Sequence, residues 1–310
     1  MTAATPSTRE YWASQVREHR DADGRKFRYV VARHPGARGL VIHFSAFFGE
    51  WGDAPRHREV FQGHFHRLRM LGDVPDYDFL FLCDEFGADG NGTYYTGEHG
   101  DLFVERATLD IIKEQMTALG HRPETTVMIG SSMGATGALK FGLLLGVKGI
   151  VAISPHIDLD ICAERQGRWR HVAAIVPDGN PIAPANREVT RQVRLLVERW
   201  SGPPNPPRLF IQSCRDDAGV FAEQVQPLCA AWTRAGGSVT LDARARGGHT
   251  SDHATRAVLL DVTGRILADQ AIDVARYQRQ GAYRGISRYE AARRSLRRVA
   301  RRALRVARLR

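Results

Sequence analysis

Short apolar runs alternate with stretches of helical period along most of the chain. Lys26–Arg33 (KFRYVVAR) alternates apolar and polar side chains as a strand does, and Gly39–Phe44 (GLVIHF) is a compact β-rich run. Asp78–Cys83 (DFLFLC) and Val147–Ile153 (VKGIVAI) read as buried strands, and Thr125–Ile129 (TTVMI), Leu209–Ser213 and Val239–Ala243 as further strands. Between them, Val104–Leu119 carries Ala107, Ile111, Ile112, Gln115 and Leu119 at helical spacing. Met133–Leu145, Phe221–Ala235 and Ala254–Leu267 read as helices too, with some helical character at 56–71. Strands alternating with helices predict an α/β architecture: a mostly parallel central sheet with helices on both faces. No internal repeat is visible.

Four stretches break this rhythm. Residues 1–24 form a polar lead-in, so the domain is expected over 25–270. Within it, 154–207 is irregular, with one helical stretch at Arg187–Trp200 that the cluster Gly202, Pro203, Pro204, Pro206 and Pro207 stops. The strand–helix rhythm resumes directly afterwards, so this reads as a small cap or insertion, with Trp169 and Trp200 as packing residues. Phe86–Gly100 (FGADGNGTYYTGEHG) has no period and reads as a loop. Residues 271–310 form a basic C-terminal tail.

Composition narrows the class. Of 310 residues, 43% are hydrophobic, enough for one large core and against a mostly disordered chain. No apolar run approaches the roughly 20 residues of a membrane-spanning helix. The start, MTAATPSTRE, lacks the basic-then-apolar layout of a secretory signal. Cys83, Cys162, Cys214 and Cys229 are scattered and form no CxxC pair, which fits neither a zinc framework nor a disulfide scaffold. The expectation is a soluble cytoplasmic protein.

The net charge of +10 suggests nucleic acid until it is located. Arg293–Arg310 holds nine arginines and no acid, so ten less nine leaves +1 for everything before it. In that tail Leu296, Val299, Ala300, Ala303, Leu304 and Ala307 fall on one helical face, and Arg294, Arg297, Arg298, Arg301, Arg302 and Arg305 surround it. Such a basic amphipathic helix is expected to lie peripherally on an anionic membrane surface, each arginine contributing roughly 1 kcal/mol. A solvated tail and a nucleic-acid tail are the alternatives. Nucleic acid is not favoured, because the body offers no basic face to continue a track.

The chemistry centres on Gly130-Ser131-Ser132-Met133-Gly134, directly after the strand TTVMI and directly before a helix. G-x-S-x-G in that context forms a nucleophile elbow: a strained turn lifts Ser132 above the sheet, and the glycines remove side chains that would clash. A hydroxyl needs a base oriented by an acid, in the chain order Ser, Asp/Glu, His. Asp216 follows the strand LFIQS and His249 follows VTLDA, both at carboxyl ends of strands. Asp217 is the adjacent alternative acid. His253 competes as base, but if the last helix has begun there it faces solvent. For an oxyanion hole, the elbow geometry offers the Met133 N–H, and the loop after GLVIHF offers Ala46 or Phe47.

The strand order, elbow, acid and base resemble the α/β-hydrolase superfamily over roughly 25–268. FSAFFG, CDEFGADGNGTYYTGEHG, IGSSMGATGALKFG and GGHTSDH resemble a subgroup tied to bacterial surface carbohydrate. That subgroup holds the XcbB/CpsF-type capsule biosynthesis proteins and the hydrolase-like domain of accessory-secretion glycan O-acetyltransferases. The resemblance implies Ser132, Asp216 and His249 as nucleophile, acid and base. It departs at Ala135-Thr136, where a second glycine-rich step is expected.

What this implies is serine-dependent acyl transfer, as esterase or O-acyltransferase, on a small acyl ester or acyl donor, with a surface-glycan or lipid-linked acceptor. No cofactor is implied. A catalytically silent scaffold and a glycosyl- or phosphoglycosyl-transferase are the alternatives. Asp84, Glu85, Asp89 and Asn91 do not fit an EF-hand loop, and no metal is expected. Asp84, Tyr94 and Tyr95 are substrate-pocket candidates, the tyrosines either stacking on a sugar or covering the core edge. His57, His64 and His66 read as a solvated helix face rather than metal ligands.

Overall fold

The structure is a computed structural model that describes residues 9–47, 65–202 and 206–279. Its centre is one eight-stranded sheet in the order β1-β2-β4-β3-β5-β6-β7-β8. The strands are β1 (Val16–Arg20), β2 (Lys26–Ala32), β3 (Leu40–Phe44), β4 (Asp78–Leu82), β5 (Thr126–Ser131), β6 (Gly149–Ile153), β7 (Arg208–Cys214) and β8 (Val239–Arg244). The β1–β2 and β2–β4 pairs are antiparallel, and every other pair is parallel. Strand β1 lies inside the expected lead-in. Its sequence, VREHR, has one apolar residue and a mostly exposed face, so it carries no buried-strand signal. A short charged strand suits a sheet edge, where it discourages further pairing.

Small helices α1 (Arg9–Ser14) and α2 (Leu68–Leu71) precede the two long ones, α3 (Phe103–Leu119) and α4 (Met133–Leu145). Both α3 and α4 end on a left-handed glycine, Gly120 and Gly146, as helices of that kind commonly do. The 154–207 stretch contains four short helices rather than one: α5 (Leu159–Arg165), α6 (Trp169–Ala173), α7 (Arg187–Thr190) and α8 (Gln192–Glu198). Next, α9 (Ala218–Val220) runs through a π-helical turn at Phe221–Val225 into α10 (Gln226–Arg234). Pro227 in the first turn of α10 cannot donate a backbone hydrogen bond, which accounts for the widened turn before it. Then come α11 (Arg256–Leu267) and α12 (Val274–Arg279).

Alternation in the strands covers both faces. In β6, Ile150 lies against Gly142 of α4, and Gly149, one residue earlier, lies against Ile266 of α11 on the opposite face. By contact the chain divides into Met1–Ile272 and Asp273–Arg310. The tail arginines Arg294, Arg297, Arg298, Arg301, Arg302 and Arg305 lie outside the described residues. Among the described residues no helix is long and apolar enough to cross a membrane.

Lys140 stands out as the charged residue of the mostly apolar α4, with 1% of its surface exposed. Its ammonium donates to the Tyr95 carbonyl at 2.5 Å, Glu105 Oε2 at 3.0 Å, and Thr96 Oγ1 and Gln192 Oε1 at 3.2 Å. Burial pushes its pKa down, and the Glu105 charge pulls it partly back. One side chain thus ties α3, α4, α8 and the Phe86–Gly100 loop together. Removing one partner of a buried pair leaves the other uncompensated, so Lys140→Met is expected to cost about 3 kcal/mol. A lower urea midpoint at unchanged slope would register that loss, and an unmoved midpoint would reject it.

Candidate active site

At the end of β5 the backbone turns sharply into α4. Ser132 sits at the turn with φ 53° and ψ −118°, a conformation that a side chain normally avoids. The surroundings enforce it. A Cβ on Gly130 would lie 2.0 Å from the Gly134 carbonyl, and one on Gly134 would lie 2.4 Å from the Phe44 carbonyl. The Ser132 N–H donates to the Ile153 carbonyl at 2.8 Å, pinning the turn to the end of β6. Strain at Ser132 is therefore held by close backbone contacts on both sides.

The histidine expected as base arrives from a distant part of the chain. After β8, Gly247 (φ 146°) and Gly248 (φ 64°) turn the backbone so that His249 faces the elbow. His249 Nε2 lies 2.9 Å from Ser132 Oγ, and its Nδ1 lies 2.7 Å from Asp217 Oδ2. A carboxylate accepts only, so Nδ1 carries the proton and donates to Asp217. Nε2 is then free to accept from the Ser132 hydroxyl.

This geometry corrects the acid from Asp216 to Asp217. Asp216 instead accepts from the Gly248 N–H at 2.8 Å and the Gly247 N–H at 3.0 Å, bracing the turn that presents His249. Desolvation raises the Asp216 pKa, but these backbone donors outweigh it and hold the carboxyl below its usual value. Two neighbouring aspartates thus divide the work, one on the ring and one on the loop.

His253 is also corrected: it is buried, with Nε2 3.2 Å from the Arg246 carbonyl, rather than facing solvent as a helix residue. Beneath the elbow, buried Arg67 donates to Ser131 Oγ at 3.1 Å and to the Ala254 carbonyl at 3.0 Å. It thereby joins the Ser132 turn to the segment following His249. Burial pushes the Arg67 pKa down to about 10. His66 lies half-buried in a turn, edge-on against buried His43 at 5.0 Å, rather than on a solvated helix face, and burial pushes its pKa down to about 3. His57 and His64 lie outside the described residues.

The expected pocket residues turn out to be supports. Asp84 is fully buried and accepts from the Thr93 N–H, the Thr93 hydroxyl and the Tyr95 N–H at 2.6–2.9 Å. Burial raises its pKa against the pull of these donors. Tyr94 and Tyr95 are also fully buried, with backbone φ of 56° and 55°. Tyr95 Oη lies 2.9 Å from Ser45 Oγ, at the end of β3. None of the three presents a surface to a ligand, so their role is to shape the loop. Glu85 pairs with Arg28, and Asp89 with Arg170. Among the described residues no cluster of His, Cys, Asp or Glu is arranged to hold a metal.

Two features of the site carried no sequence pattern. His156, after β6, stacks on His249 with ring centroids 5.1 Å apart and planes 12° from parallel. Its place at a strand's carboxyl end, next to the elbow strand, was the available signal. Half-buried Phe47, after β3, meets His171 of α6 at 4.5 Å, and the Arg168 guanidinium lies 4.3 Å above the Phe47 ring. Trp169 beside them is 44% exposed, contrary to a packing role, whereas Trp200 packs on the core and covers Gly202. Ala46 and Phe47 follow Phe44 and Ser45, whose carbonyls face Gly134 beside Met133. In the Ala135-Thr136 step, Thr136 Oγ1 donates to the His156 carbonyl at 2.5 Å.

No protein-family model matches the chain. It is similar to an accessory Sec system protein of Staphylococcus aureus, at 26% identity over 147 residues. The match covers 47% of this chain and 25% of that protein, so the chain spans about a quarter of the length of this curated relative. Among solved structures it is similar to the capsule O-acetyltransferase of Neisseria meningitidis serogroup A. The TM-score is 0.58 at 18% identity, over 82% of this chain and 99% of that one. The fold is that of an α/β-hydrolase. S-formylglutathione hydrolase from Agrobacterium tumefaciens is similar too, with TM-score 0.51 at 14% identity, over 82% and 91% of the two chains. The Neisseria capsule enzyme has also been solved with coenzyme A. In an α/β-hydrolase fold, an elbow serine after a central strand and a histidine after the last strand occupy the nucleophile and base positions.

Proposed function

We propose that this protein is a serine acyltransferase that moves an acyl group from an ester or thioester donor to a carbohydrate hydroxyl. What carries the reading is the hydrogen-bonded relay from Ser132 through His249 to Asp217, at 2.9 and 2.7 Å. Its place on an α/β-hydrolase fold supports the same chemistry.

In the first half-reaction, Ser132 Oγ attacks the acyl carbonyl while His249 Nε2 takes the hydroxyl proton. Asp217 holds the Nδ1–H and stabilises the imidazolium that forms. The Met133 N–H, with an N–H of Ala46 or Phe47, receives the negative oxygen; such a donor is worth about 3–4 kcal/mol in the transition state. Collapse expels the donor's alcohol or thiol, which takes its proton from His249. In the second half, His249 deprotonates the acceptor hydroxyl, which attacks the acyl-enzyme and frees Ser132. Water as acceptor gives hydrolysis by the same steps.

The likeness to a capsule O-acetyltransferase, solved also with coenzyme A, supports a glycan acceptor and a thioester donor. Acyl donors of increasing chain length, including acyl-coenzyme A, test the reading when each is assayed with and without sugar acceptors. The expected result is acyl-sugar formed faster than free acid. Release of free acid alone, unaffected by any sugar, would reject transfer.

Peripheral binding to an anionic membrane surface belongs to the same proposal. Deleting 293–310, which removes nine arginines, is expected to abolish co-sedimentation with anionic lipid vesicles at physiological salt. Unchanged co-sedimentation of the truncated chain would end the membrane role.

A further inference from the structure

We infer that His156 is a positioning residue for the site proposed above: its flat ring is the wall that keeps His249 in the plane joining Asp217 to Ser132. The inference rests on that functional reading and adds a residue to it.

His249 needs such a wall. Its side chain is 34% exposed, and it stands on a turn made by two glycines of positive φ. Its two hydrogen bonds both leave from the ring edge, at Nδ1 and Nε2. Edge bonds fix where those atoms lie but leave the ring free to pivot about the line between them. A contact on the ring face opposes that pivot. His156 supplies it, stacked within 12° of parallel.

The wall itself is fixed. His156 is 3% exposed, follows Ser154 (φ 43°) and Pro155, and its carbonyl accepts from Thr136 Oγ1 of α4. The next N–H, of Ile157, donates to Gln224 Oε1 in the π-helical turn at 3.0 Å. The Tyr94 hydroxyl lies 3.4 Å from Nδ1, and the His249 ring stacks on the face. Burial pushes the His156 pKa well down, and His249 and Arg168 push the same way. The imidazolium that forms on His249 during turnover therefore meets a neutral aromatic face rather than a second charge.

What His249 uses is a flat neutral face, not the His156 nitrogens, and four substitutions separate the two. His156→Phe keeps the face and loses the nitrogens. His156→Gln keeps polar edge atoms and loses the face. His156→Leu is apolar and not flat, and His156→Ala opens the wall. The readout is the rate constant for phosphonylation of Ser132 by a fluorophosphonate probe in the full chain, with each variant's melting temperature.

His156→Phe is expected within about threefold of the native rate. The Gln, Leu and Ala variants are expected to react about 10- to 100-fold more slowly, the penalty of a displaced catalytic ring. Leu serves where Gln fails to fold. A purely structural role would move melting temperatures and leave the rates of folded variants alike. Native-like rates for Gln or Leu, or a Phe variant as slow as they are, overturn the inference. A native chain left unlabelled at Ser132 removes the functional reading, and the inference with it.

Discussion

Ser132→Ala is expected to abolish covalent labelling by fluorophosphonate and to lower acyl turnover by about 10⁴- to 10⁶-fold. The magnitude follows from the geometry. Among the described residues Ser132 Oγ is the one hydroxyl that meets His249 Nε2, at 2.9 Å, so no described neighbour inherits the relay. Ser131 is close in sequence, but its hydroxyl accepts from buried Arg67 below the turn. Intact-mass measurement after probe treatment, with turnover of an activated ester, decides the matter. An alanine variant that keeps turnover within tenfold of native would sink the acyl-enzyme route.

The same position links function to stability. At φ 53° and ψ −118°, alanine inherits the strain of serine, whereas glycine relieves it. Ser132→Gly is therefore expected to melt above Ser132→Ala, by about 1 kcal/mol in stability, while being just as inactive. Equal melting of the two variants would mean that the turn stores no strain at this residue.

The legible parts of this chain were those with a steric or periodic signature. Seven of the eight strands announce themselves through apolar runs or apolar–polar alternation, and β1 does not, because VREHR buries almost nothing. The elbow is legible because Gly130 and Gly134 leave no room for a Cβ, a demand that appears directly as residue type. His249 follows from chain order and from the glycines that turn it. Asp216 and Asp217 are different: adjacent carboxylates in one loop both reach the 247–249 segment, one its backbone and the other its ring, and nothing in their types says which meets the ring. Asp84, Tyr94 and Tyr95 look like a site mouth by composition. They are buried because the loop uses one carboxylate to gather its own N–H groups. His156 had a telling location but no pattern, since stacking is a tertiary contact between segments about ninety residues apart in sequence.

Asp217→Asn is expected to lower kcat by about 10³- to 10⁴-fold, and Asp216→Asn by about tenfold or less. Asp217 Oδ2 accepts the Nδ1 proton of His249 at 2.7 Å, fixing the tautomer in which Nε2 can take a proton from Ser132. An amide in its place can present its NH₂ to the ring and favour the wrong tautomer, with the geometry otherwise intact. Asp216 touches only the Gly247 and Gly248 N–H groups, and an asparagine oxygen still accepts from one of them. Its loss loosens the loop without altering the protons of the relay. The pH dependence follows from the lowered Asp216 pKa. A carboxyl held below its unfolded value contributes fully above that value and loses its contribution as pH falls through the folded one. The stability lost in Asp216→Asn should therefore be flat from neutral pH down to the ordinary carboxylate range and shrink only below it, as melting temperature against pH would show. Parallel kcat–pH profiles of the two variants make the comparison. If Asp216→Asn proves the more damaging at neutral pH, the assignment of Asp217 to the histidine is wrong.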